Sequence, residues 1–174
     1  MDSDMLCLDD IVNLWKLRDY DKIVQVVKHP ERDWTINKYN QQVSNKFRGA
    51  VQYNYPKKNW SSLMLMNTGF CEALDPFLVE KALPSYLHRF EWVRDSNKVG
   101  EIPKEWNYLV DYDNTLDKAP SLVHYTRGGP WYPEYRNCEY AAQWFQEYSD
   151  MIGAEQFRLH QQNGHIRGDQ ESDT

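Results

Sequence analysis

The apolar residues of this chain fall in short blocks whose period changes along the sequence, and that limits the fold more than any single motif. KIVQVV (Lys22 to Val27) is compact and β-branched and predicts a strand. SSLMLMN (Ser61 to Asn67) predicts a second, buried strand ending at the turn signal Asn67-Thr68-Gly69. SLVHYT (Ser121 to Thr126) predicts a third, stopped by Gly128-Gly129-Pro130. Between these blocks the spacing turns helical. Leu8, Ile11, Val12 and Trp15 suit a short helix capped by Asp9 or Asp10, and PFLVEKAL starts a helix at Pro76. Tyr140, Ala141, Trp144, Phe145, Tyr148 and Met151 predict an amphipathic helix from Cys138 to about Ile152. The alternation from Tyr86 to Trp92 fits either element. The stretch from Lys28 to Lys58 is polar, basic and aromatic, and is read as a functional loop or as a loop holding short elements. Strands mixed with helices define an α/β chain, and 174 residues suffice for one domain with its own core. After Asn163 no apolar face remains, so residues 161–174 are expected to form a disordered tail.

Composition removes several function classes. A net charge of −6 argues against sequence-independent binding to a phosphate backbone, which needs a basic face. No apolar run reaches the length of a membrane span and no signal-peptide pattern is visible. Cys7, Cys71 and Cys138 are too few and too scattered for a disulfide framework, which fits a reducing, cytoplasmic setting. A mean hydropathy of −0.82 coexists with seven Trp and twelve Tyr, rings that fill a small core or stack on amphipathic ligands such as sugars.

Two short segments carry chemistry. At the start, Asp2 and Asp4 flank Ser3, so residues i and i+2 of an extended or turning backbone can converge on one hard cation. An acidic terminus is also commonly just solvated. Near the other end, HYTRGGPW (His124 to Trp131) puts a histidine at the end of an apolar strand, followed by Arg127 and by Gly128 and Gly129, whose small size lets backbone N–H groups approach an anion. His124 read by itself is a core histidine bonded to the backbone. Taken together, Asp2, Asp4 and His124 with phosphate oxygens suit Mn²⁺ or Mg²⁺ better than zinc.

The segments DSDMLCLDDIVNLW, VVKH (Val26 to His29), YPKKNWSSLMLMN (Tyr55 to Asn67), LHRFEW (Leu87 to Trp92), IPKEWNYLV (Ile102 to Val110) and HYTRGGPW resemble, in that order, GT-A fold glycosyltransferases of the glycogenin and lipopolysaccharide-galactosyltransferase type, in a bacterial and viral subgroup. The resemblance implies a GT-A-like mixed sheet flanked by helices, with residues 1–160 as the metal and acceptor part. It implies that Asp2, Asp4 and His124 bind Mn²⁺ (or Mg²⁺), and that Arg127, Gly128 and Gly129 lie at the donor phosphates. The family's usual lysine before the final Pro-Trp is Gly129 here, so Arg127 is either its replacement or a surface arginine. Asn59, Trp60, Ser61 and Ser62, together with His88, Trp106 and Asn107, are implied near the donor sugar or acceptor. By sequence alone Trp106 would be a packing residue, and Lys57 with Lys58 a solvated pair.

The implied activity is transfer of a hexose from a nucleotide-diphosphate sugar, UDP-hexose as the first expectation, to a glycan or other hydroxyl acceptor, with no catalytic nucleophile identified. The implied nucleotide-binding strands do not precede Asp2 in this sequence. The expectation is therefore an N-terminally truncated fold, from a start placed too late, from a second polypeptide that supplies that part, or from a degenerate protein that keeps the acceptor half alone, and its acid-bearing strand should show an edge. The alternative is a non-catalytic carbohydrate-binding or partner-binding module, whose glycan binding would ignore a chelator. A two-metal phosphoesterase would want more carboxylate and histidine ligands than these motifs supply.

Overall fold

Two strands buried along their whole length organise the chain. In a computed structural model, which describes residues 1–43, 49, 51, 53–114 and 116–168 (157–168 as helix backbone), these are β2 (Val24–Val26) and β6 (Leu122–His124). Each is the middle strand of a three-stranded mixed sheet. β2 pairs antiparallel with β3 (Met64–Met66) and parallel with β4 (Val99–Glu101). β6 pairs antiparallel with β1 (Met5–Cys7) and parallel with β5 (Tyr108–Leu109). A strand covered on both faces reads as a continuous apolar run, which is why IVQVV and LVH stood out in the sequence. The α/β expectation therefore holds as a mixed α/β architecture with two small sheets.

The edge strands were harder to read. β3 was expected to be buried, but it lies at a sheet edge and Met64 is exposed. β1, β4 and β5 are two or three residues long, too short to show a period. At Gly100 in β4 an added Cβ would lie 2.7 Å from Lys22 Cγ, so closeness to the neighbouring chain and not apolar content selects that residue. Among the described residues β1 pairs with β6 alone and lies at a sheet edge.

The first two helices begin where their caps predict. α1 (Ile11–Lys16) is capped by Asp10, whose carboxylate accepts the Val12 N–H at 2.9 Å, while Asp9 accepts from the Asp10 N–H and the Asn13 amide. Asp75 caps α2 (Pro76–Lys81), with Pro76 at the first helical position. The ambiguous stretch at Tyr86 resolves as α3 (Pro84–His88) followed by a turn at Phe90, whose φ is +58°. The segment 28–58 holds an isolated bridge between Ile36 and Gln42, and its Trp34 joins Val43, Leu109 and Tyr112 in a small core.

Residues Met1–Gly129 make one compact unit, with two larger cores. Leu14, Val27, Leu63, Ile102, Trp106 and Leu122 form the first, and Val24, Val26, Phe90, Trp92, Val93 and Val99 the second. Pro130–Thr174 is a second unit, so the boundary falls inside the expected 1–160 part. It contains α4 (Ala141–Gly168), which runs past the expected end near Ile152. Within it Trp144 stacks on Tyr148 at 5.2 Å and meets Trp131 at 5.5 Å. The expected tail over 161–174 is helix backbone to Gly168, and 169–174 lie outside the described residues. Cys7, Cys71 and Cys138 are free thiols. Among the described residues no helix is long and apolar enough to cross a membrane.

Candidate metal centre

The β1–β6 ladder brings the two chemistry-bearing segments together. Met5 pairs with His124, and one step further the Asp4 carbonyl accepts the Tyr125 N–H at 2.9 Å. The chain bends at Ser3 and Asp4, and the Asp2 N–H donates to the Ser62 carbonyl at 2.8 Å, which ties the terminus back onto the fold. The bend, not an extended strand, makes the two carboxylates converge. Asp2, Asp4 and His124 each offer one ligand atom, and these atoms lie within 4.8 Å of one another. His124 Nε2 is 3.4 Å from Asp4 Oδ1. The imidazole is 2% exposed and the Asp4 carboxylate 36%, so nitrogen approaches from the interior and oxygen from the solvent side.

Behind the histidine lies a buried amide. Asn107 ends a 3₁₀ turn (Lys104–Asn107) anchored by Trp106 in the first core. Its Nδ2 donates to the Asn59 carbonyl at 3.1 Å, and its Oδ1 lies 3.0 Å from His124 Nδ1. Asn59 sits in the left-handed region with φ +65°, a conformation that asparagine tolerates better than most residues. Neither asparagine was expected beside the histidine. Both were placed at the sugar by resemblance, yet both are buried, and the Asn107 amide is engaged by His124 and Asn59.

The other expected residues are dispersed. Trp60 donates its indole N–H to the His29 carbonyl at 2.9 Å. Ser61 Oγ lies 2.7 Å from Nδ1 of the exposed His88, and Ser62 is buried beneath Asp2. Trp106 is 4% exposed and packs in the core, as the residue alone suggests. Arg127 donates to Asp111 at 2.9 Å, so a phosphate would compete with that carboxylate. Gly128, with φ +148°, closes a turn through its N–H to the Tyr125 carbonyl, and Gly129 is the last residue of the first unit. Lys58 corrects the expectation of a solvated pair. It is 3% exposed, donating to the Tyr53 carbonyl at 2.6 Å with its ammonium 5.4 Å from the Trp34 ring and 5.5 Å from Tyr55. A carbonyl and two ring faces there take the place of water.

A cavity of about 240 Å³ opens among these groups, lined by His29, Arg32, Trp34, Tyr55, Lys57 and Lys58 with their neighbours. Burial, then the negative charge of Asp2, pushes the Tyr55 phenol up. His29 was singled out by no chemical motif. Burial first, with the nearby cations Arg32 and Lys104 adding to it, pulls its imidazole down to about 3, so it is neutral. Its Nδ1 is 3.8 Å from Asp113 Oδ2, too long for a hydrogen bond, and no ion pair forms with a neutral ring. His29 Nε2 has no hydrogen-bond partner among the described residues. Burial pushes the Asp113 carboxyl up, against the Leu109 N–H and Arg32. The available signal was positional, because His29 follows a β-branched strand much as His124 ends the apolar run SLVH.

Compared with known proteins, the chain is similar to Protein CDI of Arabidopsis thaliana, 38% identical over 153 residues that cover 84% of this chain and 56% of that protein. The chain thus spans little more than half the length of the curated relative it matches. No family model matches the chain, and no solved structure matches it.

Proposed function

We propose that this chain carries the metal and acceptor part of a metal-dependent glycosyltransferase, which moves a hexose from a nucleotide-diphosphate sugar to a glycan or other hydroxyl acceptor. The observation that carries the reading is the convergence of Asp2, Asp4 and His124, from opposite ends of the first unit, with ligand atoms within 4.8 Å. The donor set fits a hard divalent ion: two carboxylates reached from solvent and one neutral-capable imidazole held by a buried amide. Asp2, Asp4 and His124 would hold Mn²⁺ or Mg²⁺, which when bound supplies positive charge for the departing diphosphate. A cavity in the same unit offers the Trp34 and Tyr55 rings, of the kind that pack against sugar faces, and a buried Lys58 cation. A GT-A-like sheet, with Asp4 beside its edge strand, belongs to the same proposal, as does a cytoplasmic setting for three free thiols.

The test is a calorimetric titration of Mn²⁺ with UDP into wild type and Asp4→Ala. Wild type is expected to bind, and Asp4→Ala to lose more than about 100-fold in Mn²⁺ affinity, beyond the usual cost of an outer-shell change. Equal heats in both proteins would remove the site. Glycan binding that survives EDTA in both would return the chain to the metal-independent carbohydrate-binding alternative.

A further inference from the structure

The hydrogen-bond chain behind the candidate centre has only one consistent assignment of protons. The Asn59 carbonyl can only accept, so the group of Asn107 that meets it at 3.1 Å is the NH₂. Reversing the amide would set two acceptors against each other in a fully buried position, since Asn107 is 0% exposed and no bulk water reaches it. The Asn107 oxygen is thereby turned to His124 Nδ1, 3.0 Å away, and that oxygen also can only accept. The proton of a neutral His124 ring must therefore sit on Nδ1. Nε2 is left with its lone pair, 3.4 Å from Asp4 Oδ1.

We infer that Asn107 is the positioning residue of this centre, fixing His124 as the Nδ1–H tautomer so that the Nε2 lone pair is presented beside Asp4. For the neutral ring, a lone pair facing a carboxylate oxygen is unfavourable by itself and favourable with a cation between them, which is the arrangement of a ligating histidine with an outer-shell partner. The register is built into the fold: Trp106 buries the turn that ends in Asn107, and Asn59 holds its left-handed turn to keep its carbonyl in place. The use of Nε2 as a ligand rests on the proposed metal reading, whereas the position of the proton does not.

Nitrogen-15 spectra of the His124 ring, recorded on the metal-free full chain above the imidazole titration range, read the tautomer directly. Wild type is expected to show a protonated Nδ1 and an unprotonated Nε2. Asn107→Leu is expected to shift the population toward Nε2–H and to lower Mn²⁺ affinity by about 10–100-fold. Asn107→Asp, which still accepts from Nδ1–H, is expected to keep the Nδ1–H tautomer while losing stability, because its second carboxyl oxygen is set against the Asn59 carbonyl. A protonated Nε2 in the wild type would overturn the inference, and so would an unchanged tautomer in Asn107→Leu. Should Asn107→Leu fail to fold, the wild-type spectrum decides by itself. Absent Mn²⁺ binding with a protonated Nδ1 would sink the metal reading and leave the tautomer standing.

Discussion

The two central strands have the same wiring and lead to two buried histidines with opposite chemistry. β6 ends at His124, which has an amide 3.0 Å behind it and a half-exposed carboxylate 3.4 Å in front. β2 leads three residues on to His29, which has a buried carboxylate 3.8 Å away and, among the described residues, no hydrogen-bond partner at Nε2. Both imidazoles are 2% exposed, so burial does not distinguish them. The difference lies in whether the fold supplies an acceptor for one ring nitrogen and anionic oxygens near the other. Where it does, the ring is oriented by its neighbours as the proposed metal centre requires; where it does not, burial strips the charge and the ring acts as a neutral lining group.

The largest expected effect tests whether the scaffold under one histidine is specific to it. Trp106→Ala and Trp92→Ala, in the first and second core, should each cost about 3–5 kcal/mol in urea denaturation. Only Trp106→Ala should also weaken Mn²⁺ binding, by about tenfold, because the adjoining Asn107 then loses its anchor. Equal Mn²⁺ affinities in the two variants would break the comparison.

A second test uses pH. His29 is neutral in the folded chain down to about 3 but takes a proton near 6.5 when unfolded, so the unfolded state binds more protons between these values. Stability should fall as pH drops through that window, by about 3 kcal/mol between pH 7 and pH 4. His29→Phe should abolish that component. Asp113, whose carboxyl is pushed up, acts in the opposite sense and is common to both proteins, so the difference between wild type and variant is the readout. At neutral pH the variant should be at least as stable, because Nε2 has no hydrogen bond to lose, and its Mn²⁺ affinity should match wild type within about twofold. A pH profile unchanged by the substitution would show that His29 is not the neutral group described.

The smallest effect lies outside both sites. Asp10→Ala removes the cap of α1 and should cost about 1 kcal/mol without altering Mn²⁺ affinity, read by thermal unfolding and calorimetry. A change in affinity there would mean that α1 helps hold the acids in place.

Features governed by neighbours in sequence were legible without coordinates. β2 and β6 showed as apolar blocks, Asp10 and Pro76 marked helix starts, and Asp2 and Asp4 stood out by their i, i+2 spacing and His124 by ending an apolar strand. What tertiary structure alone decided is which distant groups meet. The Asn59–Asn107–His124 chain, the His29–Asp113 approach and the burial of Lys58 between Trp34 and Tyr55 join residues with no shared period. The physical reason is one of range. Periodicity and capping are local energies that any short window displays, whereas an acceptor for a buried proton is supplied only after the chain has closed on itself.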